Sequence, residues 1–218
     1  MKKIVLFILI FAIIGGTAFA FDIHSFPSPI KKGSLLISPM LGLGYQPGFW
    51  HNGYSYYSYY GYSWFNYRSY DNAFALAIPV AIEYALPINF ALTVGGEVGI
   101  AFGFTSGKGT ILNIPVLAKV AWHPNFEVAN LDVYTSIKIG IGIGILAGFR
   151  NIDTKAGVGF GFGWDVGARY FFSPKIGIIG ELGWNRYGFV LNYTEYFYRY
   201  TWSMPMHTFF RFGLTFLI

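Results

Sequence analysis

The chain has no cysteine, so disulfides, thiolate chemistry, zinc ribbons and a lipid-modified N-terminal cysteine are excluded. Charge is scarce as well. Asp, Glu, Lys and Arg make up 11% of the 218 residues, less than half of the roughly 25% usual in a soluble domain. That shortage excludes an ordinary soluble enzyme and a disordered tail. The formal net charge of +5 comes from a few scattered positions. No Lys/Arg cluster of the kind that tracks phosphates is present, which excludes a nucleic-acid partner. Past its N-terminal segment the chain also lacks the uninterrupted apolar run of about 20 residues that a membrane helix needs. What it does have is 54% hydrophobic residues, 21% aromatics and 28 glycines, with a mean hydropathy of +0.46. The composition is that of a membrane protein that does not cross with helices.

The N-terminus reads as an export signal. Lys2 and Lys3 precede an apolar stretch from Ile4 to Ile14, and Ala18-Phe19-Ala20 is a small-x-small cleavage site. Residues 1–20 are therefore expected to be a cleaved signal peptide, residues 21–32 a periplasmic lead-in, and residues 33–218 the folded domain.

That domain repeats one pattern, an alternation of period two between turns. Phe74, Leu76, Ile78, Val80, Ile82 and Tyr84 alternate with alanines, Pro79 and Glu83. Ile137, Ile139, Ile141, Ile143 and Ile145 alternate with Ser136, Lys138 and three glycines. Eight such blocks can be marked out. A solvated sandwich would fill its second face with Lys, Glu and Thr, whereas here that face holds Gly, Ala and isolated charges. Apolar outside with small or polar residues inside is the requirement of a transmembrane barrel, because closure satisfies every backbone group in lipid. The expected fold is all-β: an antiparallel up-and-down transmembrane β-barrel of eight strands. Turns at 87–89, 123–130 and 172–175 are short, while the connections at 47–72 and 186–203 are long. Bacterial barrels place short turns in the periplasm and long loops outside.

The signal peptide, the amphipathic blocks and the final Phe210-x-Phe212-x-Leu214-x-Phe216-x-Ile218 strand resemble the small outer-membrane barrels of the OmpA, OmpX and OmpW type. The resemblance implies residence in the outer membrane of a diderm bacterium, contact with lipopolysaccharide, and a C-terminal strand (Phe212, Leu214, Phe216, Ile218) read by the outer-membrane insertion machinery. This chain ends in Ile218 where that family usually has an aromatic. Members include structural proteins, adhesins, channels for hydrophobic compounds and lipid-modifying enzymes, so the family leaves function open.

The inward parity collects five acids, Glu83, Glu97, Asp132, Asp165 and Glu181, and four bases, Lys119, Lys138, Arg169 and Arg211. Counting outward from each turn opposes Glu97 to Lys119, Lys119 to Asp132, and Lys138 to Asp165. It also opposes Asp165 to Glu181, with Arg169 one position along the same face. Unpaired, each buried charge would cost several kcal/mol, so an interlocked network blocking the lower lumen is expected; the alternative is a charge-lined pore. The inward positions nearer the outer end are Gly99, Gly103, Gly142, Gly144, Gly148, Gly157, Gly159, Gly161 and Gly163. They permit tight curvature or leave a vestibule for a small apolar ligand.

The connection at 47–72 carries Trp50, Tyr54, Tyr56, Tyr57, Tyr59, Tyr60, Tyr62, Trp64 and Tyr67 among Ser and Gly. That is the composition of adaptable binding surfaces, and it suggests a host-surface or glycan ligand. An aromatic cap at the lipid headgroups is the alternative. No metal or cofactor site is expected, since His24, His51, His123 and His207 are scattered and Gly142-x-Gly144-x-x-Ala147 lies inside a strand pattern. A lipid-modifying constellation around His207 and Thr208 is weakened by their opposite parity. The expected function is therefore non-enzymatic, in surface adhesion or envelope structure, with passive uptake of small hydrophobic compounds as the rival.

Overall fold

The computed structural model describes residues 22, 24–27, 29–46, 49–55, 63–69, 73–105, 109–147, 155–189, 191–195, 198–203 and 207–218. The expected signal peptide, Tyr56, Tyr57, Tyr59, Tyr60, Tyr62 and Gly148 lie outside them. The strands in chain order are β1 (Leu35–Gln46), β2 (Phe49–Ser55), β3 (Ser63–Ser69), β4 (Ala73–Ala85), β5 (Leu92–Thr105) and β6 (Gly109–Trp122). They continue as β7 (Leu131–Ala147), β8 (Lys155–Phe171), β9 (Ile176–Phe189), β10 (Leu191–Glu195), β11 (Tyr198–Ser203) and β12 (His207–Leu217). Eight of them, β1, β4 to β9 and β12, close an antiparallel barrel, with β1 paired to both β4 and β12.

The alternating pattern sets the two faces of this wall. Ile137, Leu182 and Val158 point outward and are 69%, 62% and 61% exposed, while their sequence neighbours Ser136, Lys138, Glu181 and Gly159 are buried. Outward polar groups find partners within the wall. The Trp164 indole N–H donates to Thr135 Oγ1 at 2.9 Å, and that hydroxyl donates to the Asp165 carbonyl at 3.1 Å. In lipid, where water cannot substitute, such pairing is obligatory.

Several inward glycines are fixed by close approach rather than by flexibility. Gly167 lies directly opposite Tyr134, and a Cβ there would come within 2.6 Å of Tyr134 Cε1. The ring thus fills the space the glycine leaves, a device for pinning register in curved sheets. Gly99 and Gly163 correct the vestibule expectation at those two positions. A Cβ on Gly99 would lie 2.8 Å from Pro79 Cα, and one on Gly163 2.8 Å from the Trp184 carbonyl oxygen. They let neighbouring strands crowd together and open no volume. Gly103, Gly142, Gly144, Gly159 and Gly161 are inward and buried.

One further expectation needs correction. The connections at 47–72 and 186–203 are not simply loops. Strands β2, β3, β10 and β11 hydrogen-bond into a separate four-stranded sheet in the order β10-β11-β2-β3, consistent with the β-propensity of their aromatic residues. The segment read as a lead-in is part of the fold. Asp22 and Asn125 exchange backbone hydrogen bonds of 2.9 and 3.1 Å, and Gly33, at φ +86°, donates its N–H to the Ala85 carbonyl at 2.8 Å. Between these anchors Phe26 and Ile30 are buried in a cluster with Leu36, Ala85, Ala91 and Phe171. The lead-in therefore packs across the short-turn end of the barrel.

Candidate functional site: the charged lumen

All nine charged residues assigned to the lumen are buried, none more than 3% exposed. Each sits on a strand that alternation aims inward, and eight ion-pair contacts link them in one line of alternating sign. Asp132 pairs with Arg169 at 2.9 Å, and Arg169 with Glu83. Glu83 pairs with Lys119 at 3.2 Å, and Lys119 with Glu181 at 2.9 Å. Glu181 meets Arg211 at 3.6 Å, and Arg211 meets Glu97 at 2.8 Å. Glu97 meets Lys138 at 3.0 Å, and Lys138 meets Asp165 at 2.6 Å. The line begins and ends on an acid.

Of the oppositions counted from the turns, only Lys138 with Asp165 is an ion pair here. Lys119 lies opposite Gly95 on one side and Lys138 on the other, not opposite Glu97 or Asp132. Asp165 lies opposite Gly183, and Glu181 opposite Gly167. The largest offset comes from stagger. Strand β7 starts at Leu131 but meets β6 only from Thr135, so its first turn of chain pairs with β8 alone. Tilted, staggered strands are what closing a barrel requires. Lys119 to Glu181, Arg169 to Glu83 and Lys138 to Glu97 join strands that are not neighbours in the wall, so no hairpin count can find them.

Two aromatic rings seat the four cations. Lys119 Nζ lies 4.7 Å and Arg169 Cζ 4.1 Å from the centre of the Tyr134 ring. Lys138 Nζ lies 4.9 Å and Arg211 Cζ 3.8 Å from the centre of Phe209. Desolvated cation–π contacts of this kind contribute about 2 kcal/mol or more. The Tyr134 hydroxyl also donates to Glu181 Oε1. Neither ring was singled out from sequence, although both share the inward parity of their polar or charged neighbours, Asp132 and Ser136 for Tyr134 and Arg211 for Phe209.

His123 is the other residue missed. Assigned to a turn and set aside as scattered, it is fully buried at the end of this line. Its Nδ1 is 2.8 Å from Asp132 Oδ1 and its Nε2 2.9 Å from Thr93 Oγ1. The ring stacks on Tyr134 at 5.3 Å, and Phe26 of the lead-in leans on it at 5.8 Å. Hydroxyl, imidazole and carboxylate in sequence have the outline of a nucleophile, base and orienting acid. The Thr93 hydroxyl, however, donates to Glu83 Oε2 at 2.8 Å, so its proton is not offered to the ring. At the opposite end of the line, Ser136 Oγ donates to Asp165 Oδ1 at 2.6 Å. Glu97, Asp165 and Glu181 bring carboxylate oxygens within 4.8 Å of one another, and Lys138 and Arg211 pair with these same three carboxylates.

The remaining assigned residues lie apart. Phe212, Leu214 and Ile218 of the C-terminal strand are on the outer face, with Phe210 and Phe212 stacked at 6.2 Å. Trp50 and Tyr54 fall on β2, and Trp64 and Tyr67 on β3.

No protein-family model and no curated protein matches this chain. Among solved structures, Neisserial surface protein A superposes with a TM-score of 0.53 at 10% identity, covering 85% of this chain and 99% of that one. OprG from Pseudomonas aeruginosa gives 0.47 at 8% identity over 90% and 99%. AlkL gives 0.46 at 13% identity over 90% and 95%. The first of these likenesses is one of fold, and it agrees with the closure seen here. Apolar on its outer wall and paired in charge within, this chain has the closed eight-stranded fold of the small outer-membrane β-barrels.

Proposed function

We propose that the protein is a non-enzymatic surface-recognition barrel that presents its four-stranded sheet to an external glycan. The observation that carries this reading is the pairing of β11 with β2, which joins segments about 150 residues apart in sequence into one platform. The register sets Trp50 opposite Arg68, Tyr54 opposite both Trp64 and Arg199, and Asn52 opposite Asn66. Rigid aromatics supply contact area at low entropic cost, amides match sugar hydroxyls, and two arginines suit carboxylate or sulfate groups. The ligand class is thus an acidic glycan. The packed charge in the lumen supports display over passage.

Refolded protein in lipid nanodiscs, tested against sulfated, sialylated and neutral oligosaccharides, checks this. Selective capture of the acidic set, lost in Trp64→Ala and Arg199→Ala, is the expected result. Equal capture of neutral sugars, or binding unchanged in both variants, contradicts it.

The inward glycines Gly142, Gly144, Gly159 and Gly161 favour a second reading, a shallow apolar vestibule used in uptake. Gly144→Phe should then abolish uptake of small hydrophobic compounds by whole cells, and unchanged uptake rejects it.

A further inference from the structure

The line of ion pairs holds five carboxylates and four cations, two lysines and two arginines, so with every pair ionised it alone would bury one uncompensated negative charge. The hydrogen bonds at its Asp132 end show the same deficit by a separate count. Three contacts run in sequence there: Asp132 Oδ1 to His123 Nδ1, His123 Nε2 to Thr93 Oγ1, and Thr93 Oγ1 to Glu83 Oε2. Each contact needs one hydrogen between its two atoms. Ionised carboxylates supply none, the threonine hydroxyl supplies one, and a neutral imidazole supplies one. One is missing.

From these two counts we infer that the buried network binds one additional proton, held on the His123 ring as an imidazolium that caps the Asp132 end of the line. With both ring nitrogens donating, all three contacts are satisfied and the charges balance. The imidazole is the more basic holder of that proton, because both carboxylates face cations. Asp132 already accepts from Arg169, and Glu83 accepts from both Arg169 and Lys119. The groups facing the ring come from several elements: Asp132 and Tyr134 from β7, Glu83 from β4, Thr93 from β5 and Phe26 from the lead-in. Arg169 of β8 lies behind Asp132 and Glu83. The site is thus a proton-binding site that ties four elements of the short-turn end together. A neutral ring would leave one contact as two acceptors face to face.

The full chain refolded in lipid, with nitrogen-15 in its histidine rings, tests this by NMR at about pH 8, where an exposed imidazole is neutral. His123→Gln assigns the signals. Hydrogen on both His123 nitrogens is the expected result, and a single neutral tautomer overturns the inference. Asp132→Asn removes one acid, so the charges balance without the extra proton and the ring should become neutral in that variant. A ring still doubly protonated in folded Asp132→Asn would overturn the charge count. If that variant does not fold, the wild-type spectrum decides.

Discussion

The two ends of this barrel use the same inward position in opposite ways. Toward the short turns it carries Glu83, Lys119, Asp132, Arg169 and Glu181, all at most 1% exposed. Toward the long connections it carries Gly142, Gly144, Gly159 and Gly161. One end is filled with paired charge and crossed by the lead-in, and the other rises into strands that leave the wall and form a sheet of their own. The difference shows how an alternating strand can keep one apolar outer surface throughout while the inner residue changes from paired charge to glycine.

The comparison is broken most severely at Arg169. Arg169→Met removes one partner from each of two buried carboxylates and should cost about 3–5 kcal/mol, read as a lower urea midpoint of the refolded barrel. Next in size is a charge on the outer wall at the same level. Ile139→Arg, adjacent in sequence to the well-accommodated Lys138, should cost about 2–4 kcal/mol in lipid. If it cost nothing, the outer face would not be lipid-facing. Gly167→Ala places a methyl group against the Tyr134 ring and should cost about 1–3 kcal/mol, with loss of near-UV circular dichroism from Tyr134. The smallest effect belongs to the far end. Trp64→Ala should shift barrel stability by no more than about 0.5 kcal/mol while removing glycan capture, which would separate the platform from the wall.

Much of this architecture could be read from the sequence, because period-two alternation carries it directly. Each outward isoleucine and each inward charge followed from parity, as did the short turns at 123–130 and 172–175. The ion-pair partners did not. They depend on strand stagger, which the sequence does not print, and on contacts across the lumen between strands far apart in the chain. His123 was hidden for a different reason: it follows the last residue of β6 and reads as turn, yet the lead-in folds over it and buries it. The extra sheet was concealed by composition, since Tyr, Ser and Gly together read equally well as a loop.

The central claim is that the paired charges close the lumen. Ionic conductance of the refolded protein in a planar bilayer tests it most directly, with Lys138→Ala beside the wild type. The account predicts a silent wild type. Steady wild-type conductance that changes in Lys138→Ala would contradict it, because the same residues would then line an open path.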